Sequence, residues 1–252
     1  MAHFLLAWEL GAGLGHLTRL RALAKALQQR GHRLSFVLKD VVTGASQLPA
    51  AWGPTLQAPV LLNEGHVTQR PAWSMADVLL GCGHASASTL TPLADAWVAL
   101  LRLSACNAVV ADHAPTALLA ARLLGLPSLH LGSGFSLPPP VAPLPVFRDW
   151  AVAPPGFGEV AEPLVLAKLN TLLNQRGQAP LAHLWELFHP AQTALCTWPE
   201  LDHYAAQRPA SARYLGPDCE FVPGAAPQWP LGQGPKVLAY LRAGHPEIPE
   251  LL

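Results

Sequence analysis

The sequence predicts an α/β protein built on a Rossmann-like, doubly wound parallel sheet. Three observations predict it. Short apolar runs at 3–8, 33–38, 108–111 and 128–131 have the length of buried strands, and stretches with apolar residues at helical spacing alternate with them. The first run also gives way to a helix through three alternate glycines, Gly11, Gly13 and Gly15.

Each element has its own signal. Phe4-Leu5-Leu6-Ala7-Trp8 stops at Glu9, and after the glycines Leu17, Leu20, Leu23, Ala24 and Leu27 recur on one helical face over 15–30. With the strand at 33–38 this makes one βαβ half of an open sheet. From 41 to 90 the sequence is polar and Gly-rich, and only one short strand, near Leu56 to Leu62, is expected there. Thr91 and Pro92 predict a helix start, Thr as N-cap and Pro in the first turn, followed by Leu93, Ala96, Trp97, Leu100 and Leu101 and an end near Cys106. Ala108 to Ala111 then reads as a short buried strand closing on Asp112-His113. Pro115 opens a helix, Thr116 to Leu124, which Gly125 ends, and Pro127 leads into a strand from Ser128 to Leu131.

The 26 prolines gather at 138–155 and 217–235, which reads as one loop and one linker. Between them lie helical patterns at 159–175 and 181–188 and a strand at 193–197. The expected organisation is a domain over 1–216, a proline-rich linker over 217–235, and the start of a second domain over 236–252, opened by the strand Lys236 to Leu241.

Composition narrows the function classes. Charged residues make up 13% of the 252, about half the common share, and the formal net charge is zero. Such a surface does not attract nucleic acid as a whole. The four cysteines, Cys82, Cys106, Cys196 and Cys219, form no Cys-x-x-Cys pair and read as reduced and structural. The apolar run at the N-terminus has no charged region before it and is too brief for a signal peptide, so a cytoplasmic protein is expected. Arg19, Arg21, Lys25 and Arg30 lie on the first helix with no acid between Glu9 and Asp40; they read as a solvated face or, less simply, as a peripheral membrane contact. His66 and His84 have no Cys or Asp at ligand spacing, and no metal is expected.

Chemistry points to two residues. His16 opens the first helix, where the positive dipole end disfavours the imidazolium and leaves a ring able to accept a proton. A turn-packing role for His16 competes with that of a general base. Asp112 ends a strand that a doubly wound sheet places beside strand 3–8, at the point where strand order reverses and ligands bind outside the carboxyl ends. There it would face His16, fix its tautomer and stabilise its protonated form. Capping is the simpler role for an Asp between strand and helix, but Pro115 in the first helical position makes Ala114 the cap. His113 would contact a substrate or pack at the strand end. Gly132, Ser133 and Phe135, at the same sheet edge, would line a cleft with small groups and one aromatic wall. The glycine spacing differs from Gly-x-Gly-x-x-Gly, which argues against a dinucleotide site.

Gly13-Leu14-Gly15-His16 with Arg19, Leu23-Ala24-Lys25-Ala26-Leu27 and Arg30-Gly31-His32 resembles the start of GT-B glycosyltransferases that use nucleotide-diphosphate sugars, the UDP-glycosyltransferases and the MurG-like enzymes. Val109 to Asp112, running on to Leu124-Gly125-Leu126-Pro127, resembles the segment whose aspartate partners the base histidine. Trp198 to Asp202 and Ala212 to Pro217 resemble the end of the N-terminal, acceptor-binding domain. The resemblance implies an inverting transfer of a hexosyl group from a nucleotide-diphosphate sugar, which serves as donor substrate with no further cofactor, to a hydroxyl of a small-molecule or lipid-linked acceptor. In it His16 is the base and Asp112 its partner; Gly13, Gly15, His113, Gly132, Ser133 and Phe135, by their places in the turn and at the sheet edge, are then the candidate acceptor-binding residues. The His- and Gly-rich segment that holds the donor in that family has no counterpart here. This implies a truncated transferase, an acceptor-binding half whose donor domain is a separate polypeptide, or a non-catalytic binding protein; a nucleotide-sugar epimerase of the same fold would also need the second half.

Overall fold

A computed structural model of the chain describes residues 1–62, 71–148, 150–153, 155–156, 158–217, 226–229 and 232–237. The chain divides into two compact units, Met1–Glu220 and Phe221–Leu252. The second has no regular element among its described residues, and the strand expected at 236–241 lies outside them beyond Val237.

The first unit holds one six-stranded parallel sheet of order β3-β2-β1-β4-β5-β6, with β1 at His3–Trp8, β2 at Arg33–Leu38, β3 at Thr55–Gln57, β4 at Ala108–Asp112, β5 at Ser128–Gly132 and β6 at Gln192–Leu195. The fold class read from the sequence is the observed one. From β1 the chain winds outward through β2 and β3, and from β4 it winds the other way through β5 and β6. The order therefore reverses between β1 and β4.

Both faces of the sheet are buried, and this is why its inner strands read as continuous apolar runs. Leu5, Ala7, Val37, Val109 and Ala111 point to one face, where they pack with α4 (Ala87–Ser104), α5 (Pro115–Leu123) and α6 (Ala161–Gln175). Leu6, Trp8, Leu34, Phe36, Leu38 and Val110 point to the other face, against Leu17, Leu20 and Ala24 of α1 (Gly15–Gln29). Strand alternation assigns Asp112 to the α1 face with Val110, and its register partner on β1 is Trp8.

Several elements differ from expectation. Residues 41–47 form an additional helix, α2 (Val41–Gln47), whose N-terminus is capped by Asp40 accepting from the Thr43 amide at 3.0 Å. The strand expected over 56–62 is only Thr55–Gln57, and the helix α3 (Met75–Leu79) follows in the stretch that read as polar loop. The expected helix at Thr91 begins earlier, at Ala87, so Pro92 lies inside α4 and Thr91 is not its cap. Pro92 is still near enough to the start that the bond it forfeits is the one to the Ser88 carbonyl, in the first turn. Residues 181–188 hold a single 3₁₀ turn, Leu184–Leu187, instead of a helix, and β6 ends two residues short of 197. Tyr214 adds a parallel bridge to Leu195, in the segment expected to close the domain. Asn63, Glu64 and His66 lie outside the described residues. Among the described residues no helix is long and apolar enough to cross a membrane.

Candidate active site

The site forms where the sheet order reverses. At the end of β1 the chain leaves through Glu9 and Leu10, and the Leu10 amide donates to the His113 carbonyl at 2.9 Å, tying the exits of β1 and β4 together. Gly11 and Gly13 then take positive φ values of 80° and 89°, which L-side chains rarely adopt, and α1 starts at Gly15. His16 in its first turn is thereby brought over Asp112.

His16 Nδ1 donates to Asp112 Oδ1 at 2.9 Å. The Asp112 side chain is fully buried, while that of His16 keeps 13% of its surface exposed. With Nδ1–H committed to the carboxylate, Nε2 is left as the ring's acceptor. Trp8 stacks on the imidazole, with ring centroids 5.4 Å apart and planes 20° from parallel. Gly11 borders Nε2 so closely that a Cβ there would lie 2.7 Å from it.

Arg19, one helical turn beyond His16, completes the cluster. Its Nε donates to Asp112 Oδ2 at 2.8 Å and its Nη2 to Oδ1 at 3.0 Å. Burial opposes the charge of Asp112, but the hydrogen bonds from His16 and Arg19 and the Arg19 charge outweigh it and hold the carboxyl below the usual carboxylate range. Asp112 is thus an anion in a dry place.

The remaining expected residues fall on the same sheet edge in different roles. His113 is buried, adopts a positive φ of 48°, and packs edge-on to Phe135 at 5.6 Å. Burial, and then the neighbouring His16, push its pKa down to about 3, so it is uncharged. Phe135 also meets Phe147 at 4.9 Å and His203 at 5.7 Å, making an aromatic wall beside His113. Ser133 uses its carbonyl within its own turn, accepting from Leu137 N at 3.2 Å, and Gly132 is buried with Ser136 pressed where a side chain would go. Gly13 and Gly15 are exposed, and no atom stands where their Cβ atoms would be.

Sequence reasoning missed Trp8, Gly11 and Arg19. The basic face of α1 read as solvated, yet Arg19 is turned onto Asp112, and Arg21 donates to the Gln47 carbonyl at 3.0 Å. The usable signal was the i, i+3 spacing of His16 and Arg19, which places both on one side of the helix. Also missed was the clamp on the 132–136 turn, where Arg208 pairs with Asp202 at 2.7 Å and reaches the Gly134 carbonyl at 3.3 Å.

By sequence the chain matches no protein-family profile and no curated protein. By fold it matches solved glycosyltransferases. The glycosyltransferase of kitacinnamycin aligns with a TM-score of 0.56 at 16% identity, over 92% of this chain and 55% of that one. CalG4, the calicheamicin glycosyltransferase, aligns with a TM-score of 0.52 at 18% identity, over 86% and 53%. The chain shares the Rossmann-like fold of one half of these GT-B enzymes. The spinosyn rhamnosyltransferase SpnG, solved with spinosyn aglycone, gives a TM-score of 0.50 at 16% identity over 91% and 52%. The chain spans about half the length of the structures it matches. The site lies in the first of its two units, on residues from β1, α1 and β4.

Proposed function

We propose that the chain is the acceptor-binding, base-carrying half of a glycosyltransferase. It would transfer a hexosyl group from a nucleotide-diphosphate sugar to a hydroxyl of a small-molecule or lipid-linked acceptor, with inversion. The observation that carries this reading is the hydrogen bond from His16 Nδ1 to the buried Asp112, formed at the switch point of the Rossmann-like fold shared with GT-B enzymes.

The chemistry follows from the atoms. Asp112 holds the ring with Nε2 free to accept the acceptor hydroxyl proton. The hydroxyl oxygen attacks the anomeric carbon from the side opposite the phosphate, the carbon–oxygen bond to the nucleoside diphosphate breaks, and the anomeric configuration inverts. No protein nucleophile is required. The donor would be held by a second half, either further along the same polypeptide or on a separate one. That the chain covers only 52–55% of the solved enzymes' lengths favours this division of labour.

The test is nucleoside-diphosphate release from a panel of UDP- and dTDP-sugars by the protein together with its donor half. His16→Ala should lower turnover by ~10²–10⁴-fold, the contribution of a general base. Asp112→Asn should lose much of that factor, and the double variant should be little worse than His16→Ala. Full turnover in His16→Ala removes the base assignment. Saturable acceptor binding without transfer in any combination would favour the alternative, a non-catalytic acceptor-binding subunit.

A further inference from the structure

The buried carboxylate at the site has two partners, and only one of them is the base. Asp112 is fully enclosed, and Arg19 keeps only 14% of its side-chain surface. The guanidinium grips both carboxylate oxygens, at 2.8 and 3.0 Å, and its Nη2 also lies 3.2 Å from His16 Nδ1. Two N–H groups, one from the imidazole and one from the guanidinium, therefore converge on Oδ1.

Among the described groups facing His16, only Lys39 adds a further charge. Trp8 of β1 stacks on the ring, and His113 beyond β4 lies 5.6 Å away and is uncharged. His130 of β5, which interacts with Asp112 and His113, is likewise uncharged, pushed down to about 4 by burial. Lys39, after β2, is occupied on the Gly11 carbonyl at 2.7 Å. The fixed charges at the centre of the cluster are those of Asp112 and Arg19.

We propose that Arg19 is a positioning residue for the His16 base: it carries the counter-charge of the buried Asp112, so that His16 holds its bond to that carboxylate as a neutral ring whose Nε2 accepts protons. This rests on the reading of His16 as the base. A buried carboxylate whose sole partner is an imidazole favours the imidazolium, which has no lone pair left to take a further proton. A guanidinium on the same carboxylate removes the draw, and a cationic nitrogen beside Nδ1 opposes a second positive charge there. The planar fork also fixes the plane of the carboxylate, keeping Oδ1 in line with Nδ1, which a lysine ammonium would not do.

The experiment is a proton NMR titration of the His16 imidazole in the chain as it stands, which needs neither donor nor acceptor. Relative to wild type, Arg19→Met should move the titration midpoint upward by about one unit or more, roughly tenfold more imidazolium at a given pH. Adding Asp112→Asn should reverse the shift, a response that mere loss of packing would not give. Arg19→Lys, which keeps the charge, should stay nearer wild type than Arg19→Met. If Arg19→Met does not fold, Arg19→Gln takes its place, since its amide retains one donor for the carboxylate. A midpoint that is unmoved or lowered in the neutral variant overturns the proposal. The titration is independent of turnover, so it can fail while His16 remains the base, and His16→Ala can fail while the titration shift stands.

Discussion

A side chain at Gly11 would stand against Nε2 of His16, the nitrogen proposed to accept the proton: its Cβ would lie 2.7 Å from Nε2 and 3.1 Å from Nδ1 of His113. Gly13 shares the positive φ of Gly11 but has no atom within 4 Å of its own Cβ direction. The two glycines therefore separate backbone strain from blockage. Gly11→Ala and Gly13→Ala should each cost roughly 1–2 kcal/mol of stability through the left-handed backbone. Only Gly11→Ala should also lower turnover in the presence of the donor half, to near the level of His16→Ala. Urea unfolding and nucleoside-diphosphate release measure the two effects, and equal turnover in the two variants would show that the space over Nε2 is not used.

Glu9 makes the stability of the fold depend on pH. Its carboxylate, at the exit of β1, accepts from the Thr116 amide in the first turn of α5 at 2.8 Å, and burial pushes its pKa up to about 7. A carboxyl whose folded value is raised contributes stability that is fully present below its unfolded value, near 4.5, and is lost as pH rises through about 7. Glu9→Gln keeps an acceptor for Thr116 without the charge. The variant's stability relative to wild type should therefore improve by about 3 kcal/mol between pH 4 and pH 8. Denaturant midpoints at the two pH values provide the check; a constant difference contradicts the buried acid.

Three buried histidines act in the opposite direction. His84, His113 and His130 are held by burial at about 4, 3 and 4, below the ordinary 6.5. Bases with lowered folded values contribute stability that is present above 6.5 and lost as pH falls toward those values, because the unfolded chain takes up protons the folded chain refuses. At pH 5 these three outweigh the buried acids Glu9 and Glu162, whose raised values favour the protonated folded state. Unfolding there should be accompanied by a net uptake of about two protons, read from the slope of stability against pH. A flat profile between pH 5 and 6.5 would mean that the folded chain admits those protons.

The central strands and the helices beside them were legible because burial on both faces leaves an unbroken apolar run, as in Phe4 to Trp8 and Ala108 to Ala111. The start of α5 was legible because Pro115 needs no amide partner in a first turn. By contrast, α2 was hidden by its composition: Val-Val-Thr-Gly-Ala-Ser-Gln is poor in helix formers, and the segment is held by the Asp40 cap and by Gly44 packed against Leu38. Pro92 misled in the other direction, since its helix had already begun five residues earlier.

At the site, the meeting of His16 and Asp112 could be reasoned from strand order because strand ends fix backbone positions. The place of Arg19 could not. A charged residue on a helix reads as solvated until the neighbouring strand is known to present a buried acid at the same level, and that level is set by the pairing of Trp8 with Asp112. For the same reason Gly11 could not be told from Gly13 or Gly15 by spacing.

The closed arrangement of Arg19 on Asp112 also constrains how this chain can diverge. Loss of the acid at 112 removes the carboxylate that a mostly buried guanidinium grips, and loss of the arginine leaves a fully buried anion bonded to the imidazole of His16. Each change alone is costly, so positions 16, 19 and 112 should be inherited together: descendants of a common ancestor mostly keep all three side chains or replace Arg19 and Asp112 in concert, and pairwise covariation between 19 and 112 is the trace that this history would leave.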